Sequence, residues 1–267
     1  MLASGPRHET GHRFVDAAGA LQAYSVRLDG VLEILLPGRL RCRLREGEQH
    51  SEVDAASDDA LDLFYRFALP RLMHARGAEV LHASAVRLAD GSLLAFCGDS
   101  GSGKSTLATA VCQLGHATSS WADDALVWTE DAGAPYSLRL PFRLRLHREA
   151  AARLERLGAL DDATLDDAIA THVAARAPLR AIVLLDAAAM PADRADAQLA
   201  RLSPASAFSA LLAHAITFDA GDVARRKAMA ARYLALADLA PTYRLDVRRD
   251  LERLPEVVDL LARGLEI

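Results

Sequence analysis

The sequence has few cysteines, a small net charge and no long apolar run, and each shortage excludes a class of protein. The three cysteines form no CxxC pair and no zinc-ligand spacing, so we expect buried thiols in a reducing compartment. A formal net charge of −5 gives no electrostatic basis for binding nucleic acid or an anionic membrane. No apolar run reaches the roughly 18 residues that span a bilayer, and the polar first ten residues do not read as a signal peptide. These shortages predict a cytoplasmic protein.

Patterns along the 267 residues indicate an α/β fold in two parts. Residues 1–76 read as a small β-rich region with strands at 24–28 and 32–36, then a helix at 60–76 that Pro70 kinks or splits. Residues 77–267 read as one larger α/β domain. Its expected strands are 80–86, 93–97, 119–128, 181–185 and a segment near 243–247. Its expected helices are 104–114, 148–157 and 165–175, followed by a helical C-terminal tail with one helix at 205–239 and another after residue 250.

The most specific motif lies between the apolar strand 93–97 and the helix 104–114. It fits the pattern G-x-x-x-x-G-K-[ST] of a P-loop (Walker A). Glycines let the backbone wrap around phosphate oxygens, and the N–H groups and positive end of the helix face the same anion. We expect Lys104 to reach the β- and γ-phosphates of ATP and Ser105 to ligate Mg²⁺. The expected nucleotide-binding residues are Gly98, Asp99, Ser100, Gly101, Ser102, Gly103, Lys104, Ser105 and Thr106.

A ligand-free Gly/Ser-rich turn is the other interpretation of this loop, but the correct strand and helix on both sides favour nucleotide binding. The use of the nucleotide stays open at this point, because such loops serve motors, switches, transporters and kinases.

Two adjacent acids, Asp123 and Asp124, follow the helix of the loop. Phosphoryl transfer to an alcohol needs one carboxylate near Mg²⁺ and another that accepts the hydroxyl proton. Neighbouring residues on a strand point to opposite faces, so the strand must bend if both are to serve one site. A solvated turn is the alternative, and the apolar residues on both sides of the pair argue against it.

A histidine, His82, lies on the strand expected to pair with the strand that precedes the loop. A lone histidine is more often structural. This one is placed to polarise a carboxylate base or to contact the γ-phosphate.

Four elements in order resemble the catalytic core of the HPr kinase/phosphorylase family, over roughly residues 80–128. They are Leu81-His-Ala-Ser-Ala-Val, the phosphate loop, Gly115-His116 and Ala122-Asp-Asp124. The resemblance implies a mixed-sheet core like that of phosphoenolpyruvate carboxykinases. It also implies that His82 assists the base, that Asp123 is the base and that Asp124 is the acid on the metal side.

The resemblance also implies that an arginine in a loop before the 181–185 strand stabilises the transferring charge. Arg180 is the first candidate and Arg176 the second, with Arg143 and Arg145 weaker again. A cation at the end of a helix is an equally good interpretation of Arg180.

The chain departs from the bifunctional members of that family. Thr106 stands where they carry a glutamate, their Glu-Ile-Arg-Gly-Leu-Gly signature has no counterpart, and the N-terminal region is short. These departures argue against reverse phosphorolysis and against HPr as the acceptor.

The chain looks more like short HPr-kinase-like proteins, some of which phosphorylate a serine of ribosomal peptides such as lasso precursors. The resemblance thus implies an ATP- and Mg²⁺-dependent serine kinase for a peptide or small protein, and a homo-oligomer. A small-molecule kinase is one alternative, although no arginine-rich lid is evident. A nucleotide-sensing module without chemistry is the other, and the presence of both aspartates argues against it.

Overall fold

A computed structural model describes residues 10–15, 18–45, 51–142, 144, 146–157, 175–186, 197–217, 222–248 and 250–267. The helix expected at 165–175 lies outside these residues but for its last position, and Arg143 and Arg145 lie outside them as well. The chain divides into two compact units. The first contains the described residues up to Gly77 and those of Thr217–Arg226, and the second those of Ala78–Ile216 and Lys227–Ile267. No helix in the described ranges is long and apolar enough to cross a membrane.

The first unit contains five consecutive antiparallel strands. They are β1 (Thr10–Val15), β2 (Leu21–Leu28), β3 (Val31–Leu36), β4 (Leu40–Arg45) and β5 (Ser51–Ala55). Because side chains alternate along a strand, β4 buries Leu40, Cys42 and Leu44 and exposes its three arginines. The buried face packs against Phe64 and Leu72 of the helices that follow.

Those helices form one segment with a change of pitch. It runs through α1 (Asp58–Leu63), a π-helical turn (Phe64–Ala68) and α2 (Leu69–Ala75). The side chain of Ser57 caps α1 by accepting from the N–H of Ala60. Pro70 lacks an N–H and crowds the carbonyl four residues earlier. The kink expected at Pro70 therefore corresponds to the π-helical turn just before it.

The second unit is built on a mixed, curled sheet. Its strands are β6 (Glu79–Leu81), β7 (Ala83–Arg87), β8 (Leu93–Cys97), β9 (Ser119–Ala122), β10 (Leu126–Asp131), β11 (Ala134–Leu138), β12 (Arg176–Asp186), β13 (Gln198–Arg201) and β14 (Thr242–Asp246). The order is β6-β10-β11-β12-β8-β7-β9, and β14 pairs with β12 and β13. β12 runs parallel to β8 and β14, and the other pairs are antiparallel.

Helices cover both faces of this sheet. They are α3 (Lys104–Gln113), α4 (Arg148–Glu155), α5 (Pro204–Ala213), α6 (Val223–Leu239), a 3₁₀ turn (Leu251–Arg253) and α7 (Leu254–Leu265). One core joins α3 and α7 to Phe96 and Val183, and the other joins α5 and α6 to the sheet through Trp128. The single helix expected at 205–239 is thus wrong, because the structure has two helices there.

Two strands expected to be continuous are instead bent opposite each other. The segment expected at 80–86 breaks at His82 into β6 and β7, and the one expected at 119–128 breaks at residues 123–125 into β9 and β10. β7 pairs with β9 while β6 pairs with β10, so the two breaks face each other. The acidic strand does not lie directly beside β8, because β7 lies between β8 and β9.

Candidate active site

The phosphate loop connects the end of β8 to the start of α3, and its glycines have conformations that other residues avoid. Gly98 has φ 151°, and a Cβ there would lie 2.8 Å from the carbonyl oxygen of Leu185 and 2.9 Å from Ser102 Oγ. Gly103, with φ 99°, directly precedes the first residue of α3. The backbone can therefore turn this tightly into the helix only with glycine at these positions.

Lys104 is buried at the base of the loop, and all three protons of its ammonium group have acceptors. Nζ lies 2.9 Å from the carbonyl oxygens of Gly98 and Asp99 and 3.1 Å from His82 Nε2. Burial lowers the pKa of Lys104, an effect opposed by Cys97 and by the three nearby aspartates. The lysine therefore also stabilises the loop conformation, through its hydrogen bonds to the two loop carbonyls.

His82 connects this lysine to the acidic bend. Its Nδ1 lies 3.0 Å from the backbone carbonyl oxygen of Asp124. A carbonyl only accepts hydrogen bonds, so Nδ1 carries the proton and Nε2 is left to accept from Lys104. The bend in each strand thus positions a neutral imidazole between the loop lysine and the acidic pair.

Asp123 is buried and bound by two hydroxyl groups. Its Oδ1 accepts from Ser105 Oγ at 2.6 Å and from Ser84 Oγ at 2.7 Å. The two serine oxygens are themselves 3.4 Å apart. Ser84 belongs to the motif that carries the family resemblance, but the sequence reasoning missed its role, because a serine on an apolar strand is common. The structure brings Asp123 directly to the serine of the phosphate loop.

Asp124 adopts a left-handed conformation, with φ 63°. Aspartate is one of the few residues that tolerate this region. The turn breaks the alternation that would send adjacent carboxylates to opposite faces. Among the aspartates, Asp124 has the largest influence on Lys104, followed by Asp123 and Asp99. Both acids therefore raise the pKa of Lys104. This agrees with the bend that the sequence requires if both are to serve one site.

The oxygen atoms of this cluster fit a Mg²⁺ ion bound together with phosphates. Ser105 and Asp123 supply adjacent hard oxygen ligands, the kind that Mg²⁺ prefers. Within the described ranges no group of three or more His, Cys, Asp or Glu side chains forms a metal cage. Magnesium at nucleotide sites usually has only one or two protein carboxylates, with phosphates and water completing its shell. Ser102 Oγ in the loop is buried and has no hydrogen-bond partner among the described residues, so it is a donor available to a phosphate.

The remaining predicted binding residues follow the course of the loop. Asp99, Ser100 and Gly101 are exposed at its tip, and Thr106 lies in the first turn of α3.

The structure does not bring Arg180 or Arg176 to this cluster. Both lie within β12 itself, not in a loop before it. Arg180 pairs with Asp90 at 3.1 Å and donates to backbone carbonyls at the C-terminal end of α7, while Arg176 pairs with Asp131. Since β12 is parallel to β8 and Leu179 pairs with Leu93, Arg180 lies near the start of β8, whereas the loop follows its end.

Comparisons with known proteins show a distant structural likeness and no match in sequence. No family model matches the chain, and no curated protein matches it. Among solved structures, the chain is similar to the Hpr(Ser) kinase/phosphatase from Coxiella burnetii, with 12% identity and a TM-score of 0.39. The match covers 69% of this chain and 89% of that one. A likeness at this level carries no argument about the site, so the case for function rests on the residues and their geometry.

Proposed function

We propose that this chain is an ATP- and Mg²⁺-dependent kinase that transfers the γ-phosphate to a serine hydroxyl of a peptide or small protein. The observation that carries the proposal is the pair formed by Ser105 and Asp123, with Oγ and Oδ1 2.6 Å apart, at the start of a helix that begins with a buried lysine. In P-loop enzymes a serine or threonine and an acid of this kind hold Mg²⁺ between the phosphates.

The second acid supports group transfer in preference to binding alone. A binding site needs one carboxylate near the metal, and Asp123 fills that role by its bond to Ser105. Asp124 is then left to accept the proton of the attacking hydroxyl as the oxygen–phosphorus bond forms and ADP leaves. These roles are the reverse of those that the family resemblance implies. The hydrogen bonds favour the reversed assignment, because only Asp123 contacts the loop serine.

Lys104 and His82 complete the proposed machinery. Lys104 would stabilise the charge on the transferring phosphoryl group. To reach it, the lysine exchanges one of its three acceptors. The His82 imidazole is the proposed one, because its contact is the longest, at 3.1 Å against 2.9 Å for the two carbonyl oxygens. Bound Mg²⁺ would supply Lewis-acid neutralisation of the phosphate oxygens. The serine acceptor and an oligomeric state follow from the family resemblance alone.

Incubation of the purified chain with γ-labelled ATP, Mg²⁺ and a serine-containing peptide library tests the proposal, with nucleotide binding measured in parallel by calorimetry. Label on peptide serine, lost in Lys104→Ala, supports it. Label transferred only to small hydroxyl compounds would instead identify a small-molecule kinase. Binding of Mg·ATP without transfer or hydrolysis would identify a nucleotide-sensing module, and no binding at all would overturn the assignment of the loop.

A further inference from the structure

A second histidine, His214, lies beside the phosphate loop although it is distant in sequence. It directly follows the last residue of α5. The segment after this helix adds to the edge of β6, because His82 N donates to the His214 carbonyl oxygen at 2.9 Å and Ile216 N donates to Val80 O at 2.8 Å. These two hydrogen bonds form a bridge between Leu81 and Ala215, which fixes the place of the segment next to the bend at His82.

The side chain of His214 faces the loop. Its Nδ1 lies 3.9 Å from Asp99 Oδ1. The charged and titratable groups that act on it are Asp99 from the loop, His82 from the bend and Lys104 from α3. Burial lowers the pKa of His214, His82 and Lys104 lower it further, and Asp99 opposes them. The lowered pKa disfavours the cationic form of an imidazole that lies beside a loop suited to anions.

We propose that His214 is a further residue of the phosphate site and that it takes up a proton when a triphosphate occupies the loop. This rests on the nucleotide-binding function proposed above. The argument is electrostatic: a negative charge within about 4–6 Å of a titratable group favours its cationic form, commonly by 1–3 pKa units. A bound triphosphate provides such a charge, and Asp99 alone does not overcome the burial of the ring. The protonated ring then donates a charge-assisted hydrogen bond to a phosphate oxygen.

The linkage has a definite sign. Because binding raises the pKa of His214, proton uptake occurs only between the pKa of the free protein and that of the complex. The contribution of His214 to ATP affinity is complete below the free-protein pKa and is lost as the pH rises through the pKa of the complex. Over that interval the dissociation constant for Mg·ATP rises by no more than tenfold per pH unit.

Calorimetric titration of the full chain with Mg·ATP near pH 7, in Pipes and again in Tris, counts the protons taken up, because these buffers differ in ionisation enthalpy. The variant His214→Gln cannot titrate. His147→Gln is the matched control, since His147 is an exposed histidine in front of α4 that makes no capping bond. We expect the wild type and the control to take up more protons than His214→Gln, by up to one per site, and to show the steeper rise in dissociation constant with pH.

Equal uptake in the wild type and His214→Gln would overturn the proposal. A wild type that gives no binding heat and no thermal stabilisation with Mg·ATP would overturn the proposed nucleotide-binding function instead, so the two failures are distinguishable. Asp99→Asn gives a second measurement, which decides the matter if His214→Gln does not fold. Asp99 is the acid that raises the pKa of His214, and its side chain is 94% exposed. Its replacement should move the interval of proton uptake to lower pH, and an unchanged interval would refute the role of His214.

Discussion

Replacing the two adjacent aspartates by asparagine, one at a time, separates the roles proposed for them. Asp123→Asn retains an oxygen that can accept from Ser84 and Ser105 but removes the charge. Hydrogen bonds to a charged group contribute about 1.5–3 kcal/mol against about 0.5–1.5 kcal/mol for neutral pairs. Weakening two such bonds, at 2.6 and 2.7 Å, should lower the free energy of unfolding by roughly 1–3 kcal/mol.

Asp124→Asn should leave stability almost unchanged. The contact with His82 uses the backbone carbonyl, which the substitution keeps, and asparagine tolerates the left-handed conformation at φ 63° as well as aspartate does. If Asp124 is the base, kcat should fall by about 10²–10⁴-fold while Mg·ATP binding stays near the wild-type value.

The assay titrates Mg²⁺ at saturating ATP, with phosphate transfer or slow ATP hydrolysis as the signal. Asp123→Asn should need a higher Mg²⁺ concentration for half-maximal rate and should bind Mg·ATP more weakly. The reason is that a carboxylate on the metal side already contributes to binding in the ground state. A raised Mg²⁺ requirement in Asp124→Asn with a pure kcat loss in Asp123→Asn would refute the reversed assignment and restore the one that the family resemblance implies. Full activity in both variants would remove the mechanism altogether.

Three further predictions test the loop and the buried thiols. Gly98→Ala should weaken ATP binding and lower the melting temperature, because its Cβ would lie 2.8 Å from the Leu185 carbonyl oxygen. Gly133→Ala is the control: φ is also positive there but the space around the Cβ is open, so this variant should affect stability only. Lys104→Ala should abolish ATP binding and also destabilise the fold by roughly 1–3 kcal/mol, since two carbonyls lose their donor; an unchanged denaturation midpoint would contradict this. A thiol reagent at pH 8 should label at most one cysteine of the native chain and three after unfolding. Burial raises the pKa of the Cys42 and Cys97 thiols to about 12, and only Cys112 is partly exposed.

The sequence indicated the local elements around the loop because their signals are local. The apolar run 93–97, the glycines and the helix that Gly115 ends all lie within about twenty residues, and the hairpin turn of Asp90 and Gly91 fixes the partner of β8. The breaks at His82 and Asp124 have no such signal. They depend on hydrogen bonds between segments some forty residues apart, such as the bond from His82 to the Asp124 carbonyl, which periodicity cannot reveal.

The placement of Arg180 shows a second limit. The family resemblance implied that Arg180 lies in a loop before the 181–185 strand, and Pro178 in this segment cannot donate to a strand ladder. In the structure this segment pairs with β11 on one side, while pairing with β8 begins only at Leu179. The missing N–H of Pro178 is therefore tolerated and the strand extends back to Arg176. The extension carries both arginines away from the end of the sheet where the phosphate loop lies.

The left-handed turn at Asp124 allows the carboxylates of two neighbouring residues to lie in one site. A residue other than glycine in this region costs about 1–3 kcal/mol, and such a conformation persists only where the surroundings hold it. Here the carbonyl of the strained residue accepts from His82, and the residue before it is anchored by Ser84 and Ser105. A regular strand would satisfy the backbone at lower cost but would send one carboxylate to the far face of the sheet. The strain is thus located where chemistry that needs two carboxylates would need it.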